Sequence, residues 1–132
     1  MSELKLLCQA ANDEGILLNI EACEPSVVQH PMDAIRICED VPGLGLTLDY
    51  SHFIDPGYTQ SEVEPLHRFA RHLHARQAVP GKRVEAVDKG TIDFAELSHC
   101  SSGTITKVLW LLSTWNAIPL ASVKLMYGRR LR

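Results

Sequence analysis

Leu44-Gly45-Leu46-Thr47-Leu48-Asp49-Tyr50-Ser51-His52 is a short apolar run that stops on a carboxylate and carries an imidazole three residues further on. Val41-Pro42-Gly43 breaks the chain in front of it. Such a run, bounded by a turn and too short for a helix, reads as a strand covered on both faces, here Leu44–Leu48. The same unit stands on either side. Upstream, Gly15-Ile16-Leu17-Leu18-Asn19-Ile20 ends at Glu21; downstream, Phe69–Leu73 ends at His74. Helices fill the intervals. Residues 2–14 carry an apolar stripe at Leu4, Leu7, Cys8 and Ala11, with Gly15 suited to the left-handed residue that follows a helix. A second helix begins near Pro31, with Ala34, Ile35 and Cys38 on its buried side. Thr59 and Glu62 form a capping box after Asp55-Pro56-Gly57-Tyr58, and the helix they open carries Val63 and Leu66 inward. Val84–Val87 alternates weakly, and Thr91-Ile92-Asp93-Phe94 opens another helix.

Strands alternating with helices call for a parallel sheet with right-handed crossovers. Strand starts near residues 16, 44 and 69 are 28 and 25 residues apart. A complete eight-fold barrel averages about 30 residues per unit over about 250 residues. The spacing suits a barrel, and 132 residues supply about half of one. The expected fold is therefore α/β: a partial (β/α)8 TIM barrel of about three βα units in a parallel sheet, followed by an irregular C-terminal tail.

Composition sets the outer bounds. The chain is 45% hydrophobic and 22% charged, which excludes an intrinsically disordered or collagen-like polymer. A net charge of −3 offers no basic surface for phosphate neutralisation, so no nucleic-acid partner is expected, although Arg129, Arg130 and Arg132 crowd the end. No apolar stretch approaches the roughly 20 residues of a membrane span, and Met1-Ser2-Glu3-Leu4-Lys5 does not start a signal peptide. Cys8, Cys23, Cys38 and Cys100 form no C-x-x-C pair. Cys8, Cys23 and Cys38 read as small core residues with free thiols, and the chain as cytoplasmic.

Three successive strands end in metal-type ligands: Glu21, Asp49 and His74. Parallel α/β architectures carry their active sites at the C-terminal strand ends, so these side chains should converge at one rim. Two carboxylates and an imidazole suit a divalent cation such as Mn²⁺, Mg²⁺, Co²⁺ or Zn²⁺. His52 and His72 lie close to the same rim, and in a strand His72 and His74 point to the same side. A single carboxylate after a strand is most often a helix cap; repetition at the same place in three units sets these three apart. His67 reads as a solvated helix residue, and His30 and His99 as loop or surface residues.

Leu46-Thr47-Leu48-Asp49-Tyr50-Ser51-His52-Phe53 resembles the strand-end motif of the sugar phosphate isomerase/epimerase family, the xylose isomerase-like barrels that also include endonuclease IV. Asn19-Ile20-Glu21, Arg71-His72-Leu73-His74-Ala75-Arg76 and Gly90-Thr91-Ile92-Asp93-Phe94 resemble further segments of that family in the same order, over roughly residues 3–98. The resemblance implies Glu21, Asp49 and His74 as ligands of a divalent metal and His52 as a catalytic, substrate-contacting histidine. It also places Arg76 where a substrate hydroxyl or phosphate binds. The implied chemistry is proton transfer through an enediolate on a keto-sugar or sugar phosphate, with Glu21 as one of two carboxylates. An endonuclease IV-like phosphoesterase is the enzymatic alternative. A non-catalytic barrel relic, forming homo-oligomers or aggregates through open sheet edges, is the other.

The chain departs from that family at both ends. The family's first strands are absent, and no Asp or Glu follows Glu96, so the carboxylate expected on the last strand is missing. Residues 1–100 form the partial barrel in this reading, and 101–132 a divergent tail that reads as out of frame. With one permitted choice of codons, Lys107–Asn116 read two bases later gives Gly-Phe-Met-Ala-Leu-Glu-Tyr-Met-Glu, which resembles the missing strand. The alternative for Lys107–Asn116 is a genuine helix or strand of a shortened protein. The chain as given is expected to be inactive.

Overall fold

The computed structural model describes residues 2–97 and the backbone of a strand at 109–112. Helix α1 (Ser2–Asp13) leads to β1 (Asn19–Glu21), α2 (Pro31–Asp40), β2 (Gly45–Asp49), a single-turn α3 (Ser51–Ile54), a single-turn α4 (Gln60–Val63), a 3-10 segment (Glu64–Arg68), β3 (Ala70–Ala75) and β4 (Leu109–Leu112). The strands form one sheet in the order β1-β2-β3-β4, every neighbouring pair parallel. This is the expected barrel fragment. Within the tail expected to be irregular, β4 adds a strand; the rest of 98–132, including His99 and Cys100, lies outside the described residues.

Local chemistry explains the element ends. Gly15 has φ 72°, its N–H donates to Asn12 O at 3.0 Å, and Ile16 N–H donates to Ala11 O at 2.8 Å. These two bonds close α1 in the glycine-ended turn that satisfies its last carbonyls. The turn also consumes residues assigned to the first strand. β1 is only three residues long, and Ile16 and Leu17 are exposed. Leu7 is exposed too, so the buried side of α1 is Cys8 with the half-buried Leu4 and Ala11. Thr59 N–H donates to Glu62 Oε2 at 2.8 Å at the expected capping position. Asp93 Oδ1 accepts from the N–H groups of Ala95 and Glu96, capping the helical residues 94–97. Val84 and Val87 lie exposed in a loop and form no strand.

The core lies on the helix side of the sheet. Leu46, Leu48 and Leu73 pack with Ala34, Ile35 and Cys38 of α2 and with Val63 and Leu66. Leu46 and Leu48 are wholly buried there, so the opposite face of β2 is not the apolar one. That face carries Asn19, Gly45, Thr47 and Asp49. Arg71 crosses it: its guanidinium donates to Leu18 O, Asn19 Oδ1 and Gly43 O at 3.2, 3.4 and 3.0 Å. Gly45 makes room for it, since a Cβ there would come within 2.4 Å of Asn19 Oδ1 and 2.8 Å of Arg71 Cδ.

One irregularity positions the site. Leu46 pairs with Ala70, whereas Thr47 pairs with His72, which makes Arg71 an extra residue in β3. Without that shift Asp49 would stand beside Leu73. With it, Asp49 pairs with His74, and the two side chains share one face of the sheet.

Candidate metal centre

Glu21 and Asp49 are the last residues of β1 and β2, and His74 is the penultimate residue of β3. One ligand atom from each lies within 4.8 Å of the others. His74 Nδ1 is 3.3 Å from Glu21 Oε1 and 3.9 Å from Asp49 Oδ2. Bonds of about 2.0–2.2 Å to a small divalent cation put neighbouring ligand atoms about 3–3.5 Å apart, so these three need only a slight contraction to share one.

The donors are also prepared for a cation. Asp49 is fully buried; its Oδ1 accepts the Ser51 N–H at 2.9 Å, which fixes the carboxylate plane. Its Oδ2 is buried and accepts no hydrogen bond among the described residues. With no hydrogen bond accepted there, its lone pairs are open to a cation. Arg76 Nη2 lies 3.0 Å from the same oxygen, an ion pair whose N–H is not aimed along the contact. In the structure Arg76 balances the Asp49 charge, a contact that neither supports nor removes the substrate role the resemblance implies for it.

His52 stands beside the triad. Its Nε2 is 3.6 Å from Glu21 Oε1 and 3.9 Å from Asp49 Oδ2, and its Nδ1 is buried without a partner among the described residues. Burial lowers its pKa below the ordinary histidine value, with Arg83 and Arg76 adding to the effect and Asp49 and Glu21 opposing it. His72 lies on the same side as His74, ring centroids 5.1 Å apart, and burial and then His74 push its pKa down. Neutral imidazoles are the form that binds metals and accepts protons.

Sequence reasoning missed the loops around this rim. Arg83 reaches Asp55 Oδ2 at 3.2 Å and Glu24 Oε2 at 3.4 Å, so one guanidinium ties the loops that follow β1, α3 and β3. No spacing signals that contact. His67, expected in solvent, is buried and bonded through Nε2 to Tyr50 OH at 2.7 Å. Cys23, expected in the core, is half-buried, whereas Cys8 and Cys38 are buried. His30 is exposed, as expected, at the start of α2.

The family profile described as xylose isomerase-like TIM barrel matches residues 1–99. The chain belongs to that family. Among solved structures, this xylose isomerase-like chain is similar to a xylose isomerase-like TIM barrel protein from Mycobacterium smegmatis in complex with magnesium. The TM-score is 0.71 at 16% identity, covering 88% of this chain and 43% of that one. It is also similar to 3-keto-D-glucoside 4-epimerase from E. coli, with TM-score 0.61 and 18% identity, covering 87% of this chain and 46% of that one. At such identities the likeness shows the fold alone. The chain spans less than half the length of either neighbour. No curated protein matches the sequence. Among the described residues, no helix is long and apolar enough to cross a membrane.

Proposed function

We propose that this chain is part of a metal-dependent sugar or sugar phosphate isomerase/epimerase that moves a proton on a keto-sugar. The observation that carries the reading is the convergence of Glu21 Oε1, Asp49 Oδ2 and His74 Nδ1 at the C-terminal rim of a parallel sheet. A magnesium-bound neighbour and a neighbouring sugar epimerase support it.

In this reading Glu21, Asp49 and His74 hold the cation, which can be Mn²⁺, Mg²⁺, Co²⁺ or Zn²⁺. A cation held by these residues would supply Lewis-acid polarisation of a sugar carbonyl and hydroxyl, making the neighbouring C–H more acidic. Glu21, the most exposed of the three, takes that proton. His52 Nε2 hydrogen-bonds a sugar oxygen, and Arg76 neutralises Asp49 and reaches a hydroxyl or phosphate. A second carboxylate must return the proton, and none follows Glu96. Residues 101–132 are therefore read as a divergent, out-of-frame tail behind a partial barrel of residues 1–100, and this chain by itself as inactive. The expected partner is a small sugar, with no nucleic acid or membrane, in the cytoplasm, and the open edges favour self-association.

The test is Mn²⁺ titration by isothermal calorimetry, followed by a keto-sugar panel with the shifted frame and the N-terminal barrel strands both restored. Metal binding abolished by Asp49→Ala, and turnover only in the restored chain, is the expected result. Ordinary turnover by the present chain, abolished by Glu21→Gln, would overturn the account of the lost carboxylate; no metal binding at all would overturn the whole reading.

A further inference from the structure

The three metal-type ligands are held unequally. Asp49 is fully buried and fixed by the Ser51 N–H, and His74 stands in a strand flanked by β2 and β4. Glu21 has neither support. It ends a three-residue strand at the edge of the described sheet, and its side chain is 40% exposed. A carboxylate so placed takes its position from the loop that follows it.

Near Glu21 that loop is fastened by Arg83. Glu24, three residues beyond Glu21, meets Arg83 Nη2 at 3.4 Å, and the same guanidinium donates through Nε to Asp55 Oδ2 at 3.2 Å. Asp55 is the C-cap residue of α3, the single turn that carries His52. A further tie between these loops, His30 Nδ1 to Tyr58 OH at 2.6 Å, comes only at the start of α2. Arg83 is itself well anchored. Val79 and Lys82 exchange backbone hydrogen bonds at 3.1 and 2.9 Å, the Gly81 N–H donates to Asp55 O at 2.7 Å, and the Glu85 N–H donates to Gln77 O at 2.8 Å. The guanidinium therefore projects from a closed turn, and its planar fork spans two carboxylates, which a single-point ammonium does not.

We propose that Arg83 is a positioning residue of the metal centre: by clasping Glu24 to Asp55 it holds Glu21 beside Asp49, His74 and His52. The inference rests on the metal-site reading and adds to it a residue that acts through the Glu21 loop. Exposed ion pairs add little to stability, so the clasp should act on the geometry of the site rather than on the fold.

Charge and position make opposite predictions for Arg83. Its charge reaches the site, since it acts on His52. On Coulomb grounds alone, removing that positive charge should tighten the binding of a cation. Removing a residue that positions Glu21 should loosen it. The test is Mn²⁺ calorimetry on the full chain and on Arg83→Gln, Arg83→Lys and Arg68→Gln, with thermal melts in EDTA. Arg83→Gln should weaken Mn²⁺ binding by about three- to tenfold, towards the lower end of what the partners of metal ligands supply. Arg83→Lys, which keeps the charge and can pair with one carboxylate at a time, should recover some of that loss. Arg68→Gln breaks another exposed pair, to Glu39, before the start of β3 at the far end from His74, and should leave Mn²⁺ binding unchanged. Melting in EDTA should be nearly the same for all four proteins. Unchanged or tighter Mn²⁺ binding by Arg83→Gln, or an equal loss in Arg68→Gln, overturns the clasp and leaves the metal centre standing. A steep fall of the EDTA melting temperature in Arg83→Gln would make the contact a structural one and overturns the clasp as well. A wild-type chain that binds no Mn²⁺ overturns both.

Discussion

Replacing Asp49 by Asn tests the metal centre at its most constrained member. The side chains are the same size, and Asn Oδ1 can still accept the Ser51 N–H now bonded at 2.9 Å. The amide –NH₂ then takes the place of Oδ2, where the structure provides Arg76 at 3.0 Å and the imidazoles of His52 and His74 at 3.9 Å. A charged ligand oxygen becomes a donor facing a cation. Without metal, Arg76 loses its counter-charge; because its side chain is 24% exposed, water recovers part of the loss, and about 1–2 kcal/mol of destabilisation is expected.

With metal the contrast is larger. A cation at a hundred times its dissociation constant stabilises the native state by about 2.7 kcal/mol. For a domain of about this size, 1 kcal/mol moves Tm by about 4 °C, so Mn²⁺ should raise the wild-type Tm by about 10 °C. The Asp49→Asn protein should show almost none of that rise. Circular-dichroism melts with and without Mn²⁺, using EDTA as the baseline, read both quantities. An equal Mn²⁺-induced rise in the two proteins would refute Asp49 as a ligand, and with it the shared face created by the β3 register shift.

Other expectations follow from the same contacts. Burial holds the His67 pKa below its ordinary value, with Glu64 opposing. The folded state therefore stays neutral while the unfolded chain takes up a proton below about pH 6.5. Stability is full above that pH and falls by up to about 1.4 kcal/mol per pH unit until the folded pKa is reached; urea unfolding at pH 7.5 and 5.0 should show a smaller loss in His67→Gln. Gly45→Ala places a methyl within 2.4 Å of Asn19 Oδ1 and should cost about 1–3 kcal/mol, measured by the same unfolding curves. The exposed Leu6 and Leu7 of α1, with Ile16 and Leu17 just before β1, should make the chain self-associate, and a single monomer peak in light-scattering chromatography would contradict this.

The sequence made the ends of the strands legible because each apolar run stops on a polar ligand, and burial in a parallel sheet demands such runs. It did not show which residues share a face. Asp49 meets His74 only because Arg71 is an extra residue in β3, and that extra residue has no signature of its own. His67 was misplaced on its polarity alone: it stands four residues after the buried Val63, a spacing that shares a helix face, and Tyr50 OH meets its Nε2 at 2.7 Å so that it stays buried. The Arg83 contacts join residues 28 and 59 positions apart, beyond the reach of any local pattern.

If the proposed function holds, the two sides of the site should respond to different changes. The β1 side lacks a neighbour among the described residues, with apolar groups exposed beside it. Covering that edge, with a second copy or with additional barrel strands, should relieve self-association. It would not supply the proton-returning carboxylate which that proposal requires, because the place next to His74 is filled by β4, with Leu111 opposite His74 and Leu112 opposite Ala75. With the same choice of codons, a glutamate codon in the shifted frame spans positions 112 and 113, the end of that strand. Solubility and metal affinity should therefore respond independently: an added N-terminal half improves the first and leaves Mn²⁺ affinity unchanged, whereas the restored frame strengthens Mn²⁺ binding even with the β1 edge open. Mn²⁺ affinity that instead followed closure of the β1 edge would place the absent ligand on that side, and the frame argument would fail.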